Sequence, residues 1–305
     1  MLDSLYEEAV KKRGEIIQEI EEFNSLDVDI ADYWNFEYVE PSTKKFKIAA
    51  GDGSYSHRKF LAFNLYAVVA YGIIFDGEEL SDIEKIELDT GEHHKFFIEK
   101  LRTKMSIFEI ENAVESIKEH NADYFLIDGS LFGDLIRPIP KDNDLKELAL
   151  QNLEHLFEFL NYKKKNIAIS KTSTANDVFH SNYPDMSIFE RLNKAEGYSN
   201  PIYKNLSNEM KFEFPIRNDF FRSSEFTIFY LRLDDYKNIL KVELPYKADK
   251  KEIEEIISII KRDSIEGYPY LLKKAHNGVV IRNKNIEELA TIIGLYEKSG
   301  REMLK

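Results

Sequence analysis

The tripeptide Asp-Gly-Ser occurs twice in this chain, at residues 52–54 and 128–130, and each copy ends a short apolar run, 46–50 in the first case and 124–127 in the second. Runs rich in Ile, Phe, Leu and Ala that end in Asp-Gly read as strands with a carboxylate at the C-terminal tip. Two such tips on neighbouring strands form two corners of a divalent-cation site. The competing reading is plain turn chemistry, because Asp tolerates turns and Gly supplies positive φ.

The rest of the chain supplies the elements such a site needs. With 305 residues, 43% of them hydrophobic and 13% aromatic, it can bury a sizeable core. The longest apolar stretch, 60–75, is too short and too aromatic for a membrane span and reads as buried strand. The N-terminus carries acids early and has no apolar h-region, so it does not read as a signal peptide. There is no cysteine, which excludes disulfides and thiolate metal sites and fits a reducing cytoplasm. A metal here needs oxygen and imidazole ligands, which suit magnesium or manganese better than structural zinc. The net charge of −13 argues against a nonspecific nucleic-acid coat protein but not against a nuclease, because bound cations invert the local field of a carboxylate cluster.

Helical spacing of Leu2, Leu5, Tyr6, Ala9, Val10, Ile16, Ile17, Ile20 and Phe23 predicts an amphipathic N-terminal helix over 2–23, facing a partner or lying as a lid on the core. Strands are expected at 46–52, 60–75 and 83–88, a helix at 103–120 and a strand at 124–128. Beyond these come a helix at 145–162, a strand at 166–170, a helix at 186–195 and a hairpin from 225–233 and 240–244. A β-type run at 279–281 and two helices, 250–263 and 285–299, complete the chain. The simplest architecture is an α/β domain over 46–305, a mixed sheet flanked by helices, with a helical extension over 1–45.

Asp52 and Asp128 end the first and fourth core strands, and a third carboxylate is expected from the helix between them. Its candidates are Glu109, Glu111 and Glu115, and periodicity does not choose among them. Three such carboxylates would hold one or two hard cations, which could deprotonate a water and stabilise the leaving oxygen of a phosphodiester. His276, ahead of the run 279–281, could complete a metal shell or position a water. Lys171, just after the strand 166–170, could meet a phosphate as a point charge. Tyr230 and Arg232 alternate with Phe229 and Leu231 and so could face a cleft together. No phosphate-binding Gly-x-x-x-x-Gly-Lys loop, Gly-x-Ser-x-Gly elbow or His-Glu-x-x-His pair occurs.

The ordered set Ala50-Gly51-Asp52-Gly53-Ser54, Arg102 to Glu109, Leu126-Ile127-Asp128-Gly129-Ser130, Ile169-Ser170-Lys171-Thr172, and Gly267-Tyr268-Pro269 to Ala275-His276 resembles the NurA nucleases of archaea and some bacteria. The resemblance spans roughly residues 47–281. It implies a ribonuclease H-like core and a manganese-dependent deoxyribonuclease, with magnesium as the alternative ion. The implied activity is 5′→3′ exonuclease on single- and double-stranded DNA, with endonuclease action on single strands, in end resection at double-strand breaks. It also implies a homodimer partnered by the hexameric DNA-translocating ATPase HerA. Carried over residue by residue, it makes Asp52, Glu109, Asp128 and His276 the metal and catalytic set, choosing Glu109 over Glu111. It adds Lys171 and Tyr230 as further active-site residues. The family more often has Val where this chain has Gly51. Two other readings compete: a catalytically silent DNA clamp or HerA-docking subunit, and an actin- or sugar-kinase-like phosphotransferase, which shares an Asp-Gly-Ser/Thr turn after its first strand.

Overall fold

The computed structural model describes residues 2–295. In chain order its elements are α1 (Leu2–Asn24), β1 (Trp34–Asn35), β2 (Ile48–Lys59), β3 (Asn64–Phe75), β4 (Leu80–Gly91), α2 (Phe97–Lys118), β5 (Tyr124–Asp128), α3 (Leu131–Leu135), α4 (Asn143–Leu160) and β6 (Asn166–Ser170). Then follow α5 (Asp185–Leu192), β7 (Gly197–Ser199), β8 (Ile202–Asn205), α6 (Leu206–Glu209), α7 (Asn218–Arg222), β9 (Glu225–Arg232) and β10 (Leu240–Leu244). The chain ends with α8 (Lys250–Arg262), β11 (Ser264–Ile265), β12 (Tyr268–Pro269), α9 (Tyr270–Val279) and α10 (Asn283–Ile292).

Among the described residues one mixed sheet runs β1-β7-β9-β10-β6-β5-β2-β3-β4, with β8 also on β9. Strands β2, β5 and β6 are parallel, and β2, β3 and β4 form an antiparallel meander. The strand-strand-strand-helix-strand order is that of a ribonuclease H-like core. The central strands are covered on both faces, so their apolar runs are continuous rather than alternating. On one face Ile48, Ala50, Leu126 and Ile169 pack with Ile256 and Ile260 of α8 and Leu272 of α9. On the other, Ala49, Phe125 and Ala168 pack with Ile110, Val114 and Ile117 of α2 and Phe159 of α4. Gly51 belongs to this packing, since a Cβ there would meet the Phe125 ring at 2.8 Å.

Several expectations need correction. Asp52 is not at a strand tip: β2 continues to Lys59, because residues 53–59 pair with β3 as far as Asn64. What ends at Gly51 is the parallel ladder with β5, whose last pair is Gly51↔Ile127. The run from Phe60 is a turn before it is a strand, closed by the Phe60 N–H to the Phe63 carbonyl at 2.8 Å. Helix α2 starts at Phe97, ahead of Thr103. His276 does not precede a strand. It sits within α9, whose apolar residues Leu271, Leu272, Ala275 and Val279 have helical spacing and are buried. Helix α10 covers Asn283–Ile292, and residues 296–299 of that expected helix lie outside the described residues.

Helix α1 forms as its periodicity predicts but buries no residue. It is tied down at its C-terminal end, where Phe23 packs on Tyr183 at 4.8 Å and Arg191 donates to the carbonyls of Asn24 and Leu26. Within the same 1–45 stretch Trp34 is buried against Phe189, and β1 adds to the sheet through β7. No helix among the described residues is long and apolar enough to cross a membrane.

Candidate metal centre

The two copies of Asp-Gly-Ser do different work. In the first, Gly53 lies inside β2 with no positive φ. Glycine is required there by proximity, since a Cβ would sit 2.5 Å from Met105 Cγ and 2.6 Å from Glu109 Oε1. In the second, Gly129 has φ +135° and nothing within 4 Å of a Cβ. That glycine is required by conformation, in the turn from β5 into α3. The serines differ too. Ser54 Oγ accepts the Ile281 N–H at 3.2 Å, just past α9, and Ser130 caps α3 by accepting the Gly133 N–H at 3.0 Å.

Because the β2/β5 ladder is parallel and ends at Gly51↔Ile127, the next residues, Asp52 and Asp128, lie side by side. Helix α9 crosses β2 and β3 closely enough that a Cβ on Gly278 would strike the Tyr71 ring at 2.7 Å. This approach brings His276 Nδ1 to 2.7 Å from Asp52 Oδ2. Asp52, Asp128 and His276 each offer a ligand atom, all within 4.8 Å of one another. Lys171, directly after β6, puts its Nζ 2.6 Å from Asp128 Oδ2.

Glu109 reaches the same place from α2, over Gly53. Its rivals turn elsewhere: Glu111 faces His155 of α4 at 3.5 Å, and Glu115 pairs with Lys85 of β4 at 2.5 Å. Burial pushes the Glu109 carboxyl up to about 8, helped by repulsion from Asp52 and Asp134 and opposed by the Gly53 N–H. Burial also raises Asp52; repulsion from Asp128 adds to this, and hydrogen bonds from His276 and Gly53 oppose it. These are carboxylates packed too closely for their own charge, the condition a bound cation relieves. The donor set, carboxylate oxygen with one imidazole, fits a hard divalent ion such as Mn2+ or Mg2+.

A pH dependence follows. Between its ordinary value of 4.5 and about 8, folded Glu109 holds a proton that the unfolded chain has released. Without a divalent cation the protein therefore loses stability as pH rises through that window. A cation at Glu109 must displace the proton. Calorimetric titration with Mn2+ near pH 7, in buffers of different ionisation enthalpy, is expected to show release of about one proton, absent in Glu109→Gln. Equal proton release in both proteins would contradict this.

Sequence reasoning missed Tyr268. The β11–β12 hairpin turns at Glu266 and Gly267, with φ +56° and +76°, the two-residue turn whose central positions both need positive φ. It sets the Tyr268 ring under Lys171 Nζ, 4.9 Å from the ring centroid. Burial and the nearby Asp128 and Asp52 charges hold its phenol neutral. The signal was its place between Gly267 and Pro269.

Tyr230, expected in the site, is not brought to it. It is fully buried and its hydroxyl donates to Asp185 Oδ2 at 3.0 Å. Strands β10 and β6 separate β9 from β5, a span of about 14 Å at normal strand spacing. The alternation along β9 is real, but both of its faces are covered. Arg232 is likewise buried, against Glu190 and the Asn193 carbonyl.

Comparison with known proteins agrees with this geometry. The NurA domain family model matches residues 46–281. A probable DNA double-strand break repair nuclease NurA of Methanocaldococcus jannaschii is 27% identical, over 98% of this chain and 92% of the relative. A DNA double-strand break repair nuclease NurA of Saccharolobus solfataricus is 28% identical over 96% of each. Among solved structures, the NurA nuclease from Sulfolobus solfataricus superposes with a TM-score of 0.83 at 24% identity, covering 96% of this chain and 97% of that one. A NurA bound to dAMP and manganese superposes at 0.63 with 14% identity over the full length of both.

Proposed function

The chain belongs to the NurA family, and from that premise we propose that it is a metal-dependent DNA nuclease that processes ends at double-strand breaks. The observation that carries this reading is the convergence of Asp52, Asp128 and His276 within 4.8 Å, with Glu109 from α2 and Lys171 from β6 around them. Asp52, Glu109, Asp128 and His276 would hold the ion, manganese in the first instance and magnesium as the alternative. The manganese-bound relative of the same fold supports that choice. A divalent ion there supplies Lewis acidity toward a phosphodiester and lowers the pKa of a bound water.

The chain's own groups do the rest. His276 faces Asp52 through Nδ1, which fixes the ring and leaves Nε2 to order a water or take its proton. Lys171 neutralises Asp128 in the cation-free site and, once a cation takes that role, presents its charge to a phosphate oxygen. Tyr268, neutral, offers a hydroxyl donor beside both aspartates.

The finer activity we propose is 5′→3′ exonuclease on single- and double-stranded DNA with endonuclease cleavage of single strands. The setting is a cytoplasmic homodimer working with a HerA-type hexameric ATPase. The exposed apolar stripe of α1, including Leu5, Val10 and Ile20, supports a partner-facing surface. A time course on 5′- and 3′-labelled DNA with manganese, magnesium or chelator tests the class and polarity together. Mononucleotides released first from the 5′ label, and none with chelator, is the expected result. Release first from the 3′ label would overturn the polarity, and no cleavage with either metal would overturn the function.

A further inference from the structure

We propose that Glu243 is a positioning residue for the Asp128 corner. Held by Lys241, it clamps the second Asp-Gly-Ser turn and thereby sets the cation affinity of the site. The inference rests on the metal-site reading above.

Glu243 lies on β10, fully buried. One carboxylate oxygen, Oε1, accepts the Ser130 hydroxyl at 2.6 Å and Lys241 Nζ at 2.7 Å; the other, Oε2, accepts the Phe132 N–H at 2.8 Å. Lys241, two residues back on the same face, is buried as well. Strand β6 stands between β10 and β5, and the residue opposite Glu243 is Ala168, whose methyl leaves the side chain a path across. Glu243 therefore reaches past a whole strand to hold the residues that follow Asp128.

The turn needs holding. Gly129 has φ +135° and no side-chain environment to lock it. Upstream it is fixed by the β5 ladder and by its own N–H to the Ile169 carbonyl at 3.0 Å. Downstream it is fixed where Ser130 and Phe132 meet Glu243. Asp128 sits between these two anchors, so releasing the second lets the corner pivot about Gly129. A buried ion pair is a costly way to fill a core, and apolar residues of similar volume usually serve stability as well or better. Glu243 touches neither Asp128 nor Lys171 in this network, so its effect on the site runs through Ser130.

The test is Mn2+ affinity by calorimetry, with thermal midpoints measured alongside, for wild type, Ser130→Ala, Glu243→Gln and the Ser130→Ala/Glu243→Gln pair. Each single change is expected to raise the Mn2+ Kd about 10- to 100-fold, the usual effect of losing a ligand-orienting contact. The pair should be no weaker than its worse member, because both break one link. As Glu243→Gln alone strands a buried lysine, Glu243→Gln/Lys241→Met removes both charges at similar volume. It is expected to keep or raise the thermal midpoint and still bind Mn2+ weakly, which a purely structural role would not produce. Wild-type Mn2+ affinity in both Ser130→Ala and Glu243→Gln/Lys241→Met would overturn the inference. Failure of the wild-type protein to bind Mn2+ would instead remove the metal-site reading beneath it.

Discussion

Asp52→Asn is expected to lower manganese-dependent DNA cleavage about a thousandfold or more, a loss of about 4 kcal/mol of transition-state stabilisation, without lowering the thermal midpoint. The two effects part because the carboxylate serves the cation and not the fold. Its negative charge is opposed by burial and by Asp128, so a neutral amide of the same shape relieves repulsion in the cation-free protein. The amide oxygen can still accept the Gly53 N–H, now 2.8 Å from Asp52 Oδ1. His276 loses its ion-pair partner, but that side chain is 49% exposed, so the cost to stability is small. Activity by the labelled-DNA assay and unfolding by calorimetry, both with and without Mn2+, check this. A variant that keeps activity within tenfold would remove Asp52 from the mechanism, and one that fails to fold would make the residue structural.

Gly53→Ala and Gly129→Ala are expected to fail in opposite ways, although both alter the same tripeptide. At Gly53 the new methyl meets Met105 and the Glu109 carboxylate, not backbone. Both are flexible side-chain ends and can move, so the fold survives, but the group displaced is the one the site needs. Activity and Mn2+ affinity should fall about 100-fold, as a misplacement of order 1 Å can do, with little change in thermal midpoint. At Gly129 the methyl meets nothing, but φ is +135°, a region that costs a non-glycine residue about 1–3 kcal/mol. Stability should fall by that amount, and activity with it, because Asp128 is the residue before the turn. Equal stability losses at the two positions would show that the two glycines are not held by different constraints.

Much of the fold was legible because its strands are buried and bounded by strong turn signals. Asn166–Ser170 and Leu240–Leu244 fall where their apolar runs place them. The pairing of Asp52 with Asp128 was legible because both apolar runs end in the same way. Three features were not. The continuation of β2 past Asp52 was hidden because residues 53–59 are polar and small, and their strand character comes from pairing with β3. The choice of Glu109 lies in a tertiary fact, since Glu111 and Glu115 find His155 and Lys85 on other elements. Tyr230 looked cleft-facing because alternation marks two faces of a strand without saying whether either is open. Helix α1 shows the converse, a clear apolar stripe that the described chain leaves exposed.

The central claim is that Asp52, Glu109, Asp128 and His276 close on one divalent cation. The most direct measurement is anomalous diffraction at the manganese edge from crystals grown with Mn2+. The account predicts a peak between Asp52 and Asp128, with ligand oxygens at about 2.0–2.2 Å as for other small hard cations. It also predicts that Lys171 Nζ will have left Asp128. No peak at that position, with Lys171 still on Asp128 under saturating Mn2+, would contradict it.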